Sequence, residues 1–531
     1  MRLAPSQLPW WGLALVAAAS GATAVLAFSP FGLWPLAVLA VAVFYLTLEG
    51  QTPARGFLAG WAFGLGLLGF GVFWIRISLN EFGNMPPLVA HLLTAAFISA
   101  MALYYGLVGW VLRALGRAAP AQWVPGLGRP SLPRGAALGG PLLLLPAVWV
   151  LLEWLRGWIF TGFPWLALGY TQVDGPLGGL APVAGVYGVS LAVALSAGLL
   201  WVAVRSQGRL RWSAAAGLGV LVATGGALRL VEWTRPVGEP LRASVIQANI
   251  QPSMKWNPDA LVPVLEAHLE LTRERLDTSD LIVWPETAVP TFLDEVRDGL
   301  IEPLTRTARE AGVAVVLGIP YRALGTGRYY NGLLSIGDQE DLYAKRHLVP
   351  FGEFMPFKAW LGPLVQLFDV PMSDFSRGEA GASVLQVNGM PVGATICYED
   401  AFPEEVLRAL PAAAYLINVS NDAWFGDSLA PHQHLEIARM RALEAGRPLV
   451  RATNTGISAL IDHHGAVLGT IPLLERGGLT RDLQPRAAAT PFVRVGNWLA
   501  VGLALAMAVA GAVLARAQRP LEPVGRGRSR R

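Results

Sequence analysis

Long apolar runs, separated by loops that carry arginine and very little acid, fill the first half of this chain and constrain its fold more than any other feature. A helix that spans a bilayer needs about 20 mostly apolar residues. Runs of that kind lie near 10–28, 31–49, 56–77, 88–112, 141–160, 180–204, 212–231 and 493–515. Glu153 and Arg156 near the end of the fifth make it the least regular. The pattern predicts about eight spanning helices, seven ahead of a soluble segment and one behind it. Only 15% of the residues are charged, against about 25% in soluble proteins. Residues 10–232 account for that shortage, while 239–486 carry a normal mixture.

The predicted organisation is a transmembrane bundle over 1–235, an extracytoplasmic domain over 239–486, a further transmembrane helix over 493–515 and a basic tail over 516–531. The first run follows Arg2 and is rich in alanine, as a signal peptide would be; a second run follows at once, so it is read as uncleaved. With the N-terminus cytoplasmic, Arg55, the group from Arg113 to Arg134, the group from Arg205 to Arg211 and the Arg-rich tail all fall inside. That positive-inside pattern puts 239–486 outside, on the periplasmic face of an inner membrane. The net charge of +4 resides in these loops and the tail. It reads as a topology signal with attraction to anionic lipid, not as a nucleic-acid-binding face.

Gly64, Gly66 and Gly69 form a literal G-x-G-x-x-G, but inside an apolar run with no strand before it. Close helix packing through Gly60 and Gly64 accounts for them better than a dinucleotide site. Within 239–486, short β-branched segments at 241–249, 281–284, 313–319, 329–336, 392–396 and 415–419 alternate with helical patterns at 260–276, 294–311, 403–410 and 432–445. An α/β domain with buried strands follows. Cys397 is the one cysteine, which excludes an intramolecular disulfide and a cysteine metal cluster. His432, His434, His463 and His464 lack a carboxylate cluster at ligand spacing, so helix-start and turn roles are expected and no metal is assigned. No G-x-S-x-G is present to make a serine elbow.

Cys397 closes an apolar strand and precedes Tyr398-Glu399-Asp400-Ala401-Phe402-Pro403. Pro403 with two following glutamates is a helix start, so the thiol is expected on a strand-to-helix turn whose N–H groups favour negative charge. Pro285 ends the strand before Glu286 and leaves that carboxylate at a sheet edge. Lys345 has apolar flanks that predict burial. A buried ammonium needs a carboxylate, and either Glu286 or Glu353 would serve.

Trp284-Pro285-Glu286, then Lys345 before Pro350-Phe351-Gly352-Glu353, then Cys397-Tyr398-Glu399 resembles the nitrilase (carbon-nitrogen hydrolase) superfamily. Over nearly its full length the chain is similar to the apolipoprotein N-acyltransferase family. The similarity includes Glu153 to Gly157, Thr161 to Trp165, Gln247 to Trp256 and Asn418 to Gly426. It implies an αββα sandwich carrying Glu286 as general base, Lys345 as oxyanion stabiliser and Cys397 as nucleophile. Glu353, Tyr398 and Glu399 would support them, with Trp165, Trp256 and Trp360 toward substrate. It implies an acyl chain passed from a membrane phospholipid through a Cys397 thioester to the α-amino group of a diacylglyceryl-modified apolipoprotein, without a cofactor. A membrane-tethered amidase with the same triad and a non-catalytic lipid-binding scaffold are the rival readings. Residues 355–371 are apolar at helical spacing and suit either a core helix or a lid dipping into lipid.

Overall fold

The computed structural model describes residues 9–116, 139–255, 257–355, 374–379, 381 and 383–517, with the backbone of 122–123 and 130–131. All eight apolar runs contain helix: Trp10–Ala24, Pro35–Thr47, Pro53–Gly71, Pro87–Leu115, Leu145–Arg156, Ala181–Arg205, Gly208–Leu228 and Trp498–Ala517. Among the described residues four stretches, Trp10–Ala27, Pro87–Leu115, Pro176–Arg205 and Trp498–Ala517, are long and apolar enough to cross a membrane. A fifth is reached if Pro53–Gly71 and Ile75–Phe82, bent by 59°, count as one. Pro35–Thr47 has only 13 residues, about 20 Å of helix against a hydrocarbon core of about 30 Å. The runs overstate helix length because their ends are spent on turns.

Glycine lets the helix axes approach. A Cβ on Gly60 would stand 2.0 Å from the Tyr105 carbonyl oxygen, and one on Gly64 would stand 2.9 Å from Ala102 Cα. Helices Pro53–Gly71 and Pro87–Leu115 therefore meet backbone to backbone, as the sequence led us to expect.

The soluble half is a two-sheet sandwich, and its strands are numbered here in chain order. The first sheet contains β1 (Leu241–Gln247), β2 (Leu281–Val283), β3 (Ala314–Arg322), β4 (Tyr329–Ile336) and β5 (Asp341–Ala344). The second contains β6 (Val384–Val387), β7 (Met390–Ile396), β8 (Tyr415–Ser420), β9 (Leu449–Thr453), β10 (Ser458–Ile461) and β11 (Val467–Ile471). Strand β12 (Gly477–Leu483) returns to the edge of the first sheet, giving the order β12-β1-β2-β3-β4-β5 beside β11-β10-β9-β8-β7-β6. The centre of each sheet is parallel: β1 with β2 and β2 with β3, and β7 with β8 and β8 with β9. Successive strand residues face opposite ways. Val245, Val283 and Val316 thus meet Ile396, Ile417 and Val450 between the sheets. Ile246, Ile282 and Val315 face outward onto Leu271, Leu304 and Ala308. On the far side, Leu416 and Leu449 pack against Ala438 and Ala442 of helix Leu429–Ala445. The αββα class is borne out.

Helix Leu429–Ala445 also seats the sandwich on the bundle. Gln433 accepts from the Trp74 and Trp165 indoles and donates to the Gly71 carbonyl. Glu436 receives the Ser29 N–H and Glu444 the Val186 N–H, at 3.0 and 2.6 Å. At the other end of the helices, Arg205 pairs with Glu49 at 2.8 Å and Arg113 donates to the Gln51 carbonyl.

Candidate active site

Parallel strands leave a crevice beyond their carboxyl ends, and the functional candidates gather there. Strand β7 ends at Ile396, and Cys397 follows with φ +53°, a left-handed conformation that a β-carbon disfavours. Such strain persists where surrounding contacts over-determine the turn. Those contacts come from Glu399. Fully buried, it accepts the Ile396 N–H at 2.7 Å, the Arg346 and His347 N–H groups at 2.7 and 3.0 Å, and the Tyr343 hydroxyl. Burial lifts its carboxyl to about 7 against those backbone donors. One side chain thereby ties the cysteine turn to the segment that carries Lys345.

The turn itself differs from the sequence expectation. Cys397–Ala401 is a 3-10 turn, and the α-helix begins only at Pro403 and lasts 5 residues. Helix-dipole support for a thiolate is correspondingly small. Burial and then Glu286 push the Cys397 thiol well above its ordinary value, with Lys345 opposing. This thiol ionises with help from a base, not in advance of reaction.

Lys345, 1% exposed, leaves β5 and points its ammonium at two carboxylates, Glu286 at 3.2 Å and Glu353 at 2.8 Å. Both of the partners considered for it are therefore present. Burial alone would lower its pKa; the two carboxylates overcome that and raise it, so it stays charged. The Asn331 amide donates to the same two carboxylates at 2.8 and 3.0 Å. Glu353 is held in turn by the Val349 N–H at 2.8 Å. A second lysine, Lys255, is buried against the Glu286 carbonyl oxygen at 2.9 Å.

Beneath the cysteine lies a buried ion cluster. His434 sits between Asp422, 2.8 Å from Nδ1, and Asp400, 3.0 Å from Nε2. Arg451 reaches Asp422 at 2.9 Å and Asp400 at 3.4 Å, and also binds the Asn418 side-chain oxygen. Ser420 donates to Asp422 at 2.7 Å. His434 is thus a structural ion-pair residue, not the helix-start residue that its position suggested.

On the bundle side, the Tyr398 hydroxyl donates to the Gly162 carbonyl at 2.8 Å. His347 Nε2 lies 3.0 Å from the Thr161 carbonyl. The loop they hold carries Phe160, 81% exposed at φ +55°. Trp165 is 2% exposed, stacks on Tyr398 and donates its indole N–H to Gln433, so it props the tyrosine from below. Trp256, Trp360 and residues 356–371 lie outside the described residues.

The apolipoprotein N-acyltransferase N-terminal domain family matches residues 20–199, and the carbon-nitrogen hydrolase family matches residues 242–492. An apolipoprotein N-acyltransferase of Methylococcus capsulatus is 42% identical over 490 residues, 92% of this chain and 94% of that protein. Proteins of the same name from Azotobacter vinelandii and Nitrosomonas europaea are 41% and 40% identical, each over 94% of this chain and over 94% and 97% of their own lengths. The chain belongs to the apolipoprotein N-acyltransferase family.

As a member of that family the protein is an acyltransferase with a nitrilase-type domain on an apolar helical bundle. Glu286, Lys345, Glu353, Tyr398 and Glu399 are the residues named from sequence; Glu286 and Glu353 both meet Lys345, and Glu399 ties its segment to the Cys397 turn. Lys255, Asn331 and the ions beneath Cys397 were missed, since their partners lie on other elements and that of Lys255 is a backbone carbonyl. A further surprise is Glu232, which brings a carboxylate to His463 and His464 at 3.1 and 2.8 Å, from more than two hundred residues away. Arg486 pairs with the same carboxylate.

Proposed function

We propose that the protein transfers an acyl chain from a membrane phospholipid to the α-amino group of a diacylglyceryl-cysteine at an apolipoprotein N-terminus, in two steps through Cys397. The pairing of Glu286 with Lys345 at 3.2 Å, both acting electrostatically on a thiol that burial keeps protonated, carries the reading. Glu286 takes the thiol proton while sulfur attacks the ester carbonyl, and Lys345 faces the oxygen that becomes negative. Such a donor is worth roughly 10²–10³ in rate. Collapse breaks the ester C–O bond, and Glu286 returns the proton to the departing lysophospholipid oxygen. In the second step the neutral amine attacks the thioester. Glu286 takes the proton that nitrogen sheds, the C–S bond breaks, and the sulfur regains a proton.

The loop of Trp158 and Phe160 with the start of helix Trp498–Ala517 supplies exposed aromatic surface beside Tyr398, suited to the interfacial zone of a membrane. Arg113 and Arg205 lie at the end of the bundle away from the sandwich. That supports a cytoplasmic arginine face and a periplasmic catalytic domain in an inner membrane. The test supplies purified enzyme with phospholipid and a diacylglyceryl peptide. Equal amounts of lysophospholipid and N-acylated peptide are expected. Free fatty acid in place of acylated peptide would mean that water is the acceptor, and the amidase-like alternative would replace this one.

A further inference from the structure

The charges around Cys397 do not balance on the triad alone. Glu286 and Glu353 both contact the single ammonium of Lys345, leaving one negative charge in excess before the thiol loses anything. Moving a proton from Cys397 to Glu286 leaves that excess on the thiolate and Glu353, two like charges in a medium of low dielectric. Arg451 and His434 beneath the cysteine are matched by Asp422 and Asp400, but a further buried cation adjoins Glu286. Lys255, 4% exposed, ends the short helix Pro252–Lys255 and donates from Nζ to the Glu286 carbonyl oxygen at 2.9 Å.

We propose that Lys255 is a positioning residue for acyl transfer, its ammonium supplying the second positive charge that lets Cys397 become negative as Glu286 takes its proton. The proposal rests on the triad reading above. With Lys255 charged, the two carboxylates and two ammonium groups sum to zero, and moving a proton from Cys397 to Glu286 leaves the sum at zero. The same hydrogen bond fixes the backbone from which the Glu286 side chain reaches Lys345. Groups facing Lys255 are Glu286 and Cys397, which favour its charge, and His268 on helix Leu261–Arg273. Burial brings His268 down to about 4, so it adds no charge at neutral pH. Burial also brings Lys255 down to about 8, with Glu286 and Cys397 opposing. Its charge is therefore present at neutral pH and lost as pH rises past that value.

The experiment follows acyl-adduct formation on Cys397 by intact mass, with phosphatidylethanolamine vesicles and no acceptor, as a function of pH. Wild type should slow above about pH 8 as Lys255 deprotonates. Lys255→Arg, whose guanidinium does not deprotonate, should lose that alkaline fall. Lys255→Gln, which keeps an N–H donor without charge, should form adduct about tenfold more slowly at neutral pH, one unit of thiol pKa. A wild-type rate in Lys255→Gln, or an unchanged alkaline fall in Lys255→Arg, would overturn the proposal. If neither variant melts cooperatively, Lys255 is only an anchor for the loop, which overturns it as well. Absence of any adduct in wild type would instead overturn the triad reading.

Discussion

His434 should make the catalytic domain less stable in alkali, by an amount that its surroundings set. Both ring nitrogens face carboxylate oxygens, Asp422 at 2.8 Å and Asp400 at 3.0 Å, so both must carry a proton. Burial and Arg451 pull its pKa down, but the two aspartates outweigh them and raise it from 6.5 to about 9. A folded-state pKa above the unfolded one stabilises the protein fully below pH 6.5, and that stability is lost as pH rises through about 9. At 1.36 kcal/mol per unit the whole span is worth about 3 kcal/mol. For a domain of this size that corresponds to roughly 6–12 °C in Tm. Lysines and tyrosines also titrate in alkali, so the informative quantity is the difference between wild type and His434→Gln. Melting of detergent-solubilised protein from about pH 6 to pH 10 should show His434→Gln less stable at the acid end and the two curves converging at the alkaline end. Parallel curves would refute a charged His434 and with it the description of the ion cluster beneath Cys397.

Glu353→Gln leaves Lys345 with Glu286 alone at 3.2 Å and should lower kcat roughly 10²-fold with little change in KM, measured on the peptide acceptor; an effect confined to KM would assign Glu353 to binding. A Cβ on Gly162 would stand 2.1 Å from the Gly157 carbonyl oxygen at φ +86°. Gly162→Ala should therefore cost about 1–3 kcal/mol and lower transfer by displacing the Tyr398 partner. Gly69→Ala, whose Cβ meets nothing within 4 Å, serves as the neutral control. For topology, a cysteine introduced at Asp277 should react with an impermeant reagent added outside intact cells, and one at Arg129 should not. Equal labelling of both would refute the arginine-based orientation.

How far the sequence carried depended on whether the signal was local. Trp284 to Glu286, Lys345 to Glu353 and Cys397 to Glu399 are contiguous blocks, and the fold brings them together as expected. Each strand called from sequence overlaps a real strand, because those segments are apolar and uninterrupted. Strand β9 was missed since Arg451 sits in its middle, and only the aspartates of two other segments explain how a buried strand can carry an arginine. Strand β12 is an edge strand with two exposed residues, so its periodicity is weak. Lys255 reads as an ordinary helix lysine. Its burial follows from a backbone carbonyl thirty-one residues away, for which sequence has no sign. Trp165 is the opposite case: its motif is local, but only packing reveals that it faces Tyr398 and Gln433.

In the proposed reaction Cys397 carries the acyl chain between donor and acceptor. Wild-type enzyme mixed with phospholipid and no acceptor should gain the mass of one acyl chain, mapped by peptide analysis to Cys397. About one lysophospholipid should appear per enzyme, with little free fatty acid. Cys397→Ala should gain nothing. An acyl adduct elsewhere on the chain, or transfer to peptide by Cys397→Ala, would remove Cys397 from that role.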